Sequence, residues 1–173
     1  SVNIDSFNDL EKYQFFRYRI GVADTILFSR LLPLFENADY KATALIEMAE
    51  RQLDFNRIST AVRYLNEAAT LELTDNVLAE KINHLKLKLF ATLNRIDQLE
   101  QEIQKTSFSA NQVLEKLLYE SLINQHKGDT TQAKAGFSRL AHYNPFFEEG
   151  VIAAANFFSK QNPDAFTAYN ILA

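Results

Sequence analysis

The chain has 173 residues, and its 22 acidic and 18 basic side chains give a net charge of −4 at neutral pH. Neither sign of charge forms a run of five or more residues, so we predict no nucleic-acid partner. Cysteine is absent, which excludes disulfides and cysteine-based zinc sites. This composition fits the cytoplasm, which we favour slightly, and also the periplasm if a signal peptide has been removed.

The composition predicts an all-α protein. Only four Gly and three Pro occur, while Leu, Ala, Glu, Lys, Gln and Asn fill long uninterrupted stretches, as in helices joined by tight turns. No stretch reaches 18 apolar residues, so we predict no membrane span.

Helical hairpins are predicted along the whole chain. Apolar residues recur at helical spacing on both sides of short polar interruptions, as expected for two helices folded back on each other. The interruptions are centred on Gly21, Asn56, Asn94, Gly128 and Asn162. Their spacings are 35, 38, 34 and 34 residues, and the strings at 55–58 and 93–96 are nearly identical. The chain therefore contains a repeat of about 34 residues.

Local signals mark where individual helices start and stop. Gly128 is suited to end one helix and Asp129 to cap the next, with Gln132 completing a capping box. Asn162 followed by Pro163 predicts another helix start. Starts between hairpins are predicted at Thr74-Asp75, at Ser109 with Gln112, and at Asn144-Pro145.

The fourth repeat resembles the tetratricopeptide repeat (TPR) family. The residues at the family's spacing are Gly128-Asp129, Ala133, Phe137 and Pro145, with Ser121 as the small residue of the first helix. The second repeat is similar through Ala49, Ala61, Leu65 and Ala68, whereas the third has Leu99 where Ala is usual. The resemblance implies a right-handed α-solenoid of about five antiparallel helical hairpins. It would form one array with approximate units 6–38, 41–74, 76–107, 109–144 and 145–173.

A long-helix bundle or coiled coil is the alternative architecture. A heptad pattern can be read straight through Asn94, with apolar positions at Ile82, Leu85, Leu89, Ile96, Leu99 and Ile103. It covers only about 25 residues, and sustained coiled coils need three or four heptads.

The sequence shows no active site. No two glycines lie close enough for a phosphate-binding loop. His84, His126 and His142 lack the spacing that places two imidazoles on one helical face. We therefore predict a chain that is not an enzyme and that holds no cofactor and no metal ion.

The TPR resemblance also implies a concave groove, lined by the first helix of each hairpin. Carried over to this sequence, the groove residues are Lys12, Phe16, Arg19, Glu50, Lys81, His84, Lys88, Leu122, Gln125 and Asn156. The same faces carry Ile46, Leu53, Leu118, Ile152 and Ser159. Lys81, His84 and Lys88 also share one helical face by their spacing alone. The carboxylate clamp of chaperone-binding family members is missing, because Phe16 and Glu47 stand where Asn is expected.

The favoured function is a non-catalytic scaffold that binds a protein or peptide partner in this groove. The alternative is a self-associating or linking helical segment of a larger protein, and a homo-oligomer is compatible with it. The missing initiator Met and an apolar helix predicted to run to Ala173 motivate that alternative. A third hypothesis is an enzyme whose site is assembled elsewhere in a parent protein.

Overall fold

A computed structural model describes residues 3–143 and 146–161, and every regular element in these ranges is helical. The prediction of an all-α chain is confirmed for these residues. The α-helices are α1 (Asp9–Arg19), α2 (Thr25–Leu31), α3 (Ala38–Asp54), α4 (Ile58–Ala68), α5 (Asn76–Thr92), α6 (Ile96–Ile103), α7 (Val113–His126), α8 (Thr130–Tyr143) and α9 (Glu148–Gln161). Short 3-10 helices occupy Ile4–Ser6, Leu32–Leu34 and Ala110–Gln112. Among these helices, none has the length and apolar character needed to cross a membrane.

The chain forms two compact units, an N-terminal unit of residues 1–86 and a C-terminal unit of residues 87–173, and their boundary falls within α5. In the N-terminal unit, α1 packs on α2 and α3, and α3 packs on α4. In the C-terminal unit, α7 packs on α6, α8 and α9, and α8 packs on α9. The end of α5 contributes Leu87, Phe90 and Ala91 to the apolar core of the C-terminal unit.

Three of the predicted turns share one backbone conformation. Asn56, Asn94 and Gly128 have φ angles of 55°, 54° and 79°, in the left-handed region. At the first turn, the Arg57 N–H donates to the Gln52 carbonyl at 2.8 Å, which is the six-residue bond of a Schellman motif. The corresponding bonds run from Arg95 to Phe90 and from Asp129 to Asn124. The three predicted turn positions therefore end α3, α5 and α7 by the same mechanism.

The turn at Asn94 excludes the continuous heptad helix. α5 ends at Thr92 and α6 begins at Ile96, so the apolar residues before and after Asn94 belong to two helices. At the next turn, the Asp129 carboxylate caps α8 by accepting from the Gln132 N–H at 3.0 Å. The second bond of the predicted capping box does not form, because the Asp129 N–H is donated to the Asn124 carbonyl.

The first predicted turn differs from these three. Gly21 has no left-handed φ, and its N–H donates to the Asp24 carboxylate at 2.8 Å. The predicted helix starts at Asn144-Pro145 and Asn162-Pro163 lie outside the described residues. The start at Asp75 is observed, since its carboxylate accepts from the Val77 N–H at 2.8 Å.

The three hairpins with Schellman turns also bury equivalent positions. Each position lies either seven residues before or five residues after the left-handed residue, and its exposure is 1% or less. The three pairs are Ala49 with Ala61, Leu87 with Leu99, and Ser121 with Ala133. The repeat predicted from sequence spacing is therefore a repeat of buried positions as well as of turns.

Acidic side chains join the first helices of successive hairpins in the N-terminal unit. Asp9 of α1 accepts hydrogen bonds from the N–H groups of Glu36 at 3.1 Å and Asn37 at 2.6 Å, just before α3. Burial by itself raises the pKa of Asp9, but these two bonds and the Lys12 ammonium outweigh it and hold the pKa below 3.8. Asp39 of α3 likewise accepts from Thr74 before α5.

Candidate functional site: a groove in the C-terminal unit

A cavity of about 820 Å³ opens on the C-terminal unit. Its walls are formed by α5, α7 and α9, together with the turn after α5. We call it the C-terminal groove. Its lining residues are Lys88, Ala91, Thr92, Asn94, Ile96, Leu118, Tyr119, Leu122, Gln125, His126, Glu149, Ile152, Ala153, Asn156, Phe157 and Lys160.

Helical spacing explains which side chains of α7 and α9 reach the groove. Leu118, Leu122 and Gln125 follow one another by four and three residues, so they share one face of α7. Ser121 lies on a different face of this helix and is directed at Gly136 of α8. One face of α7 thus packs in the hairpin while another is left to the groove.

The floor of the groove is apolar and firmly packed. Leu118 and Phe157 are almost fully buried. The Phe157 ring stacks on Phe137, with 4.8 Å between the ring centroids. Ile152 is different, because 47% of its surface is exposed. The floor therefore offers an accessible apolar side chain on a rigid base.

Tyr119, which lines the groove, has a hydroxyl with a shifted pKa. Burial raises the pKa of its hydroxyl, and the neighbouring Glu115 charge raises it further. The hydroxyl donates to the Glu115 carboxylate at 2.9 Å. Tyr119 therefore stays protonated near neutral pH and remains the donor in its hydrogen bond to Glu115.

Charged side chains surround the apolar floor. The Lys88 ammonium lies 2.8 Å from the Glu149 carboxylate and joins α5 to α9. Glu149 also lies in the first turn of α9, where a negative charge is favoured by the helix dipole. Both side chains are about half exposed, so the pair contributes little to stability. The His126 imidazole lies 3.8 Å from the Asp97 carboxylate, outside normal hydrogen-bonding distance.

Four of the ten predicted groove residues line this one cavity: Lys88, Leu122, Gln125 and Asn156. Leu118 and Ile152, predicted on the same faces, line it too, whereas Ser159 does not. The other six predicted residues belong to the N-terminal unit.

Two of those six lie inside the N-terminal unit. Lys12 is 4% exposed, and its ammonium donates to the Leu34 carbonyl at 2.5 Å and to Asp9 at 3.2 Å. Phe16 is completely buried, with its ring centroid 5.0 Å from that of Phe28. Both side chains are therefore part of the packing of α1 and are closed to a partner in this structure.

The remaining four are accessible to different degrees. Arg19 is exposed at the end of α1, and His84 is half-buried in α5. The Lys81 ammonium pairs with the Glu50 carboxylate at 3.2 Å, and both side chains are exposed to a large extent. In the N-terminal unit the predicted groove is thus reduced to a few surface side chains.

Sequence reasoning missed several lining residues, including Glu149 and Lys160. A helical-spacing signal was available for both, since Glu149 precedes Ile152 by three residues and Lys160 follows Asn156 by four. Asn94 and Ile96 were missed as lining residues because they belong to the turn and the second helix of a hairpin.

The groove has no built site for a metal ion. Across residues 3–143 and 146–161, there is no group of three or more His, Asp or Glu side chains that could hold one. Glu149 is the one carboxylate among the described residues that line the groove, so no carboxylate pair is available there. What the arrangement offers is a shaped surface with an apolar centre and polar edges.

The chain matches no protein-family model, no curated protein and no solved structure. The resemblance to TPR proteins therefore stays a prediction from the residue types and repeat spacing of the sequence.

Proposed function

We propose that the C-terminal unit is a non-catalytic scaffold that binds a segment of a protein or peptide partner in the C-terminal groove. In this proposal its hairpins stack in the manner of a TPR array. The observation that carries it is the groove itself, about 820 Å³ in volume and lined by residues of α5, α7 and α9.

The groove lining combines an apolar centre with polar side chains at the edge, as expected of a recognition surface. Binding interfaces combine a buried apolar centre with a polar, solvent-accessible edge. Here Leu122 and Ile152 supply accessible apolar surface, and Gln125, Asn156 and Lys160 supply polar groups. Because the surrounding helices are already packed, a partner would meet a preformed surface, which lowers the entropic cost of binding.

The apolar contact can be tested with one substitution in the groove. Peptides selected from a random library on the immobilised chain would be titrated by fluorescence anisotropy against the wild type and Ile152→Asn. Complete burial of an Ile side chain is worth about 1.5–3 kcal/mol, and roughly half of Ile152 is exposed. We therefore expect binding to weaken by about fivefold or more.

Val113→Asn is the matched control, because Val113 is 53% exposed, is β-branched and does not line the groove. It should bind the selected peptides like the wild type. Failure of the library to yield any binding peptide, or equal binding by Ile152→Asn and the wild type, would refute the proposal.

The charged edge gives an independent test that controls for folding. Lys88→Glu would face Glu149 with a second carboxylate, and we expect weaker peptide binding. Adding Glu149→Lys restores an opposite-charge pair across the same two helices. If peptide binding depends on this ion pair, the double variant recovers affinity. If it depends on the positive charge at position 88, the double variant stays weak. Equal peptide affinities of the wild type, the single variant and the double variant would show that this ion pair takes no part in binding.

Self-association is a second candidate, and exposed apolar surface favours it. Phe146 is fully exposed just before α9, and Phe55 is 64% exposed at the turn after α3. Light scattering over a range of concentrations distinguishes the two functions. A molecular mass that stays at the 19.8 kDa of one chain excludes self-association.

A further inference from the structure

We infer that the partner segment binds in an extended conformation and carries an acidic residue next to its apolar anchor. This inference rests on the proposed function and adds the chemistry of the partner. Three features of the C-terminal groove support it: the sign of its charge, its unpaired amide side chains and its accessible apolar floor.

The groove is positive although the chain as a whole is negative. The lining contains Lys88, Lys160 and one acidic residue, Glu149, whereas the whole chain has a net charge of −4. Glu149 is already paired with Lys88. Within the described residues, Lys160 has no ion-pair partner. An acidic side chain on the partner would complement the ammonium of Lys160 and would be attracted to this part of the surface.

Amide side chains in the groove favour an extended partner. Asn94, Gln125 and Asn156 all line it, and their side chains make no hydrogen bond with any residue that the structure describes. An amide side chain both donates and accepts hydrogen bonds. An extended segment presents free backbone N–H and C=O groups that need such partners, whereas a helix pairs nearly all of its own.

The apolar floor determines where the anchor binds. Leu122 and Ile152 come from two different helices and line the same cavity as the three amides. In an extended segment, alternate side chains point to the same side. One side chain can therefore reach the floor while its neighbours remain near the charged and amide side chains at the edge.

The test uses three pools of seven-residue fluorescent peptides with amidated C-termini. All pools have Leu or Ile at two alternate positions, and the flanking positions are Glu, Gln or Lys. Binding to the full chain is measured by fluorescence anisotropy at low and high salt. We expect the Glu pool to bind about tenfold more tightly than the Lys pool, with a difference that shrinks as salt is added.

Lys160→Glu should reduce the advantage of the Glu pool by about three- to tenfold. Lys134→Glu is the matched control, because Lys134 is exposed on α8 and lies outside the groove. It changes the net charge by the same amount and should leave the preference intact. Methylation of alternate backbone amides of a Glu peptide should weaken binding by about fivefold, through loss of backbone hydrogen bonds.

Equal binding of the three pools would overturn the acidic preference while leaving the scaffold function in place. Tighter binding by a helix-constrained version of the same peptide would overturn the extended conformation. Lack of binding by every pool and by the helix-constrained peptide would count against both the inference and the proposed function.

Discussion

Replacing Gly136 with alanine tests how closely α7 and α8 approach each other in the fourth hairpin. A Cβ atom at position 136 would lie 2.1 Å from the Ser121 Oγ and 3.2 Å from the Ser121 Cβ. Ser121 and Gly136 are both buried, so the new methyl group cannot relieve the contact by pointing into solvent. The Ser121 hydroxyl can rotate, but the contact between the two Cβ atoms remains after it does.

Two opposing effects determine the size of the change. Inserting a methyl group into a packed interface costs about 1–3 kcal/mol. Alanine is about 1 kcal/mol more favourable than glycine within a helix, which offsets part of this cost. We expect Gly136→Ala to lower the free energy of unfolding by about 1 kcal/mol, and the Ser121→Ala background should relieve much of that loss because it removes the nearest atom.

Urea unfolding followed by circular dichroism would be measured for the wild type, both single variants and the double variant. The interaction energy between the two substitutions isolates their contact from the general effect of alanine on helix stability. The same loss of stability from Gly136→Ala in both backgrounds would refute the contact. A Gly136→Ala variant more stable than the wild type would show that helix propensity outweighs the steric clash.

The other predictions concern stability and use the same unfolding measurement. Asn94→Ala should lower the free energy of unfolding by about 1–2 kcal/mol and Asn94→Gly should hardly change it, because an alanine Cβ disfavours the left-handed conformation. Equal effects of the two substitutions would contradict that backbone geometry. The pKa of Asp9 in the folded protein lies below its ordinary value of 3.8. The contribution of Asp9 to stability is therefore complete above pH 3.8 and is lost as the pH falls through the lower pKa of the folded protein. Asp9→Asn should therefore be less stable than the wild type at neutral pH, and the difference should narrow as the pH falls. A difference that does not change with pH would show that the charge of the Asp9 carboxylate is not its cause. Phe137→Ala should lower the free energy of unfolding by about 3–5 kcal/mol, because the Phe137 ring is buried against Phe157. Phe146→Ala should change it by no more than about 0.5 kcal/mol, because the Phe146 ring is fully exposed. Similar losses of stability in the two variants would contradict this burial pattern.

The positions of three turns could be predicted because their chemistry is local. Asn and Gly tolerate the left-handed conformation better than other residues, and each here stands between two apolar stripes of helical period. Gly21 shows the limit of this reasoning. The same residue type at a similar place forms a turn without a left-handed φ, in which the Gly21 N–H donates to the Asp24 carboxylate.

Burial of single side chains was harder to predict. The TPR resemblance implies a groove position for Lys12, yet its ammonium is satisfied inside the N-terminal unit by Asp9 and the Leu34 carbonyl. The long apolar stem of lysine packs well once its charged end has partners. The carbonyl of Leu34 lies 22 residues away along the chain, so sequence spacing could not reveal it.

The sequence by itself determined the helical class and the turns at Asn56, Asn94 and Gly128. These depend on residues within a few turns of one another, where helical geometry makes spacing informative. Only the tertiary structure decided that Lys88 meets Glu149 and that three helices enclose one groove. Those two residues are far apart in the chain, and their contact depends on how whole helices pack, which is set by the sum of many side-chain contacts.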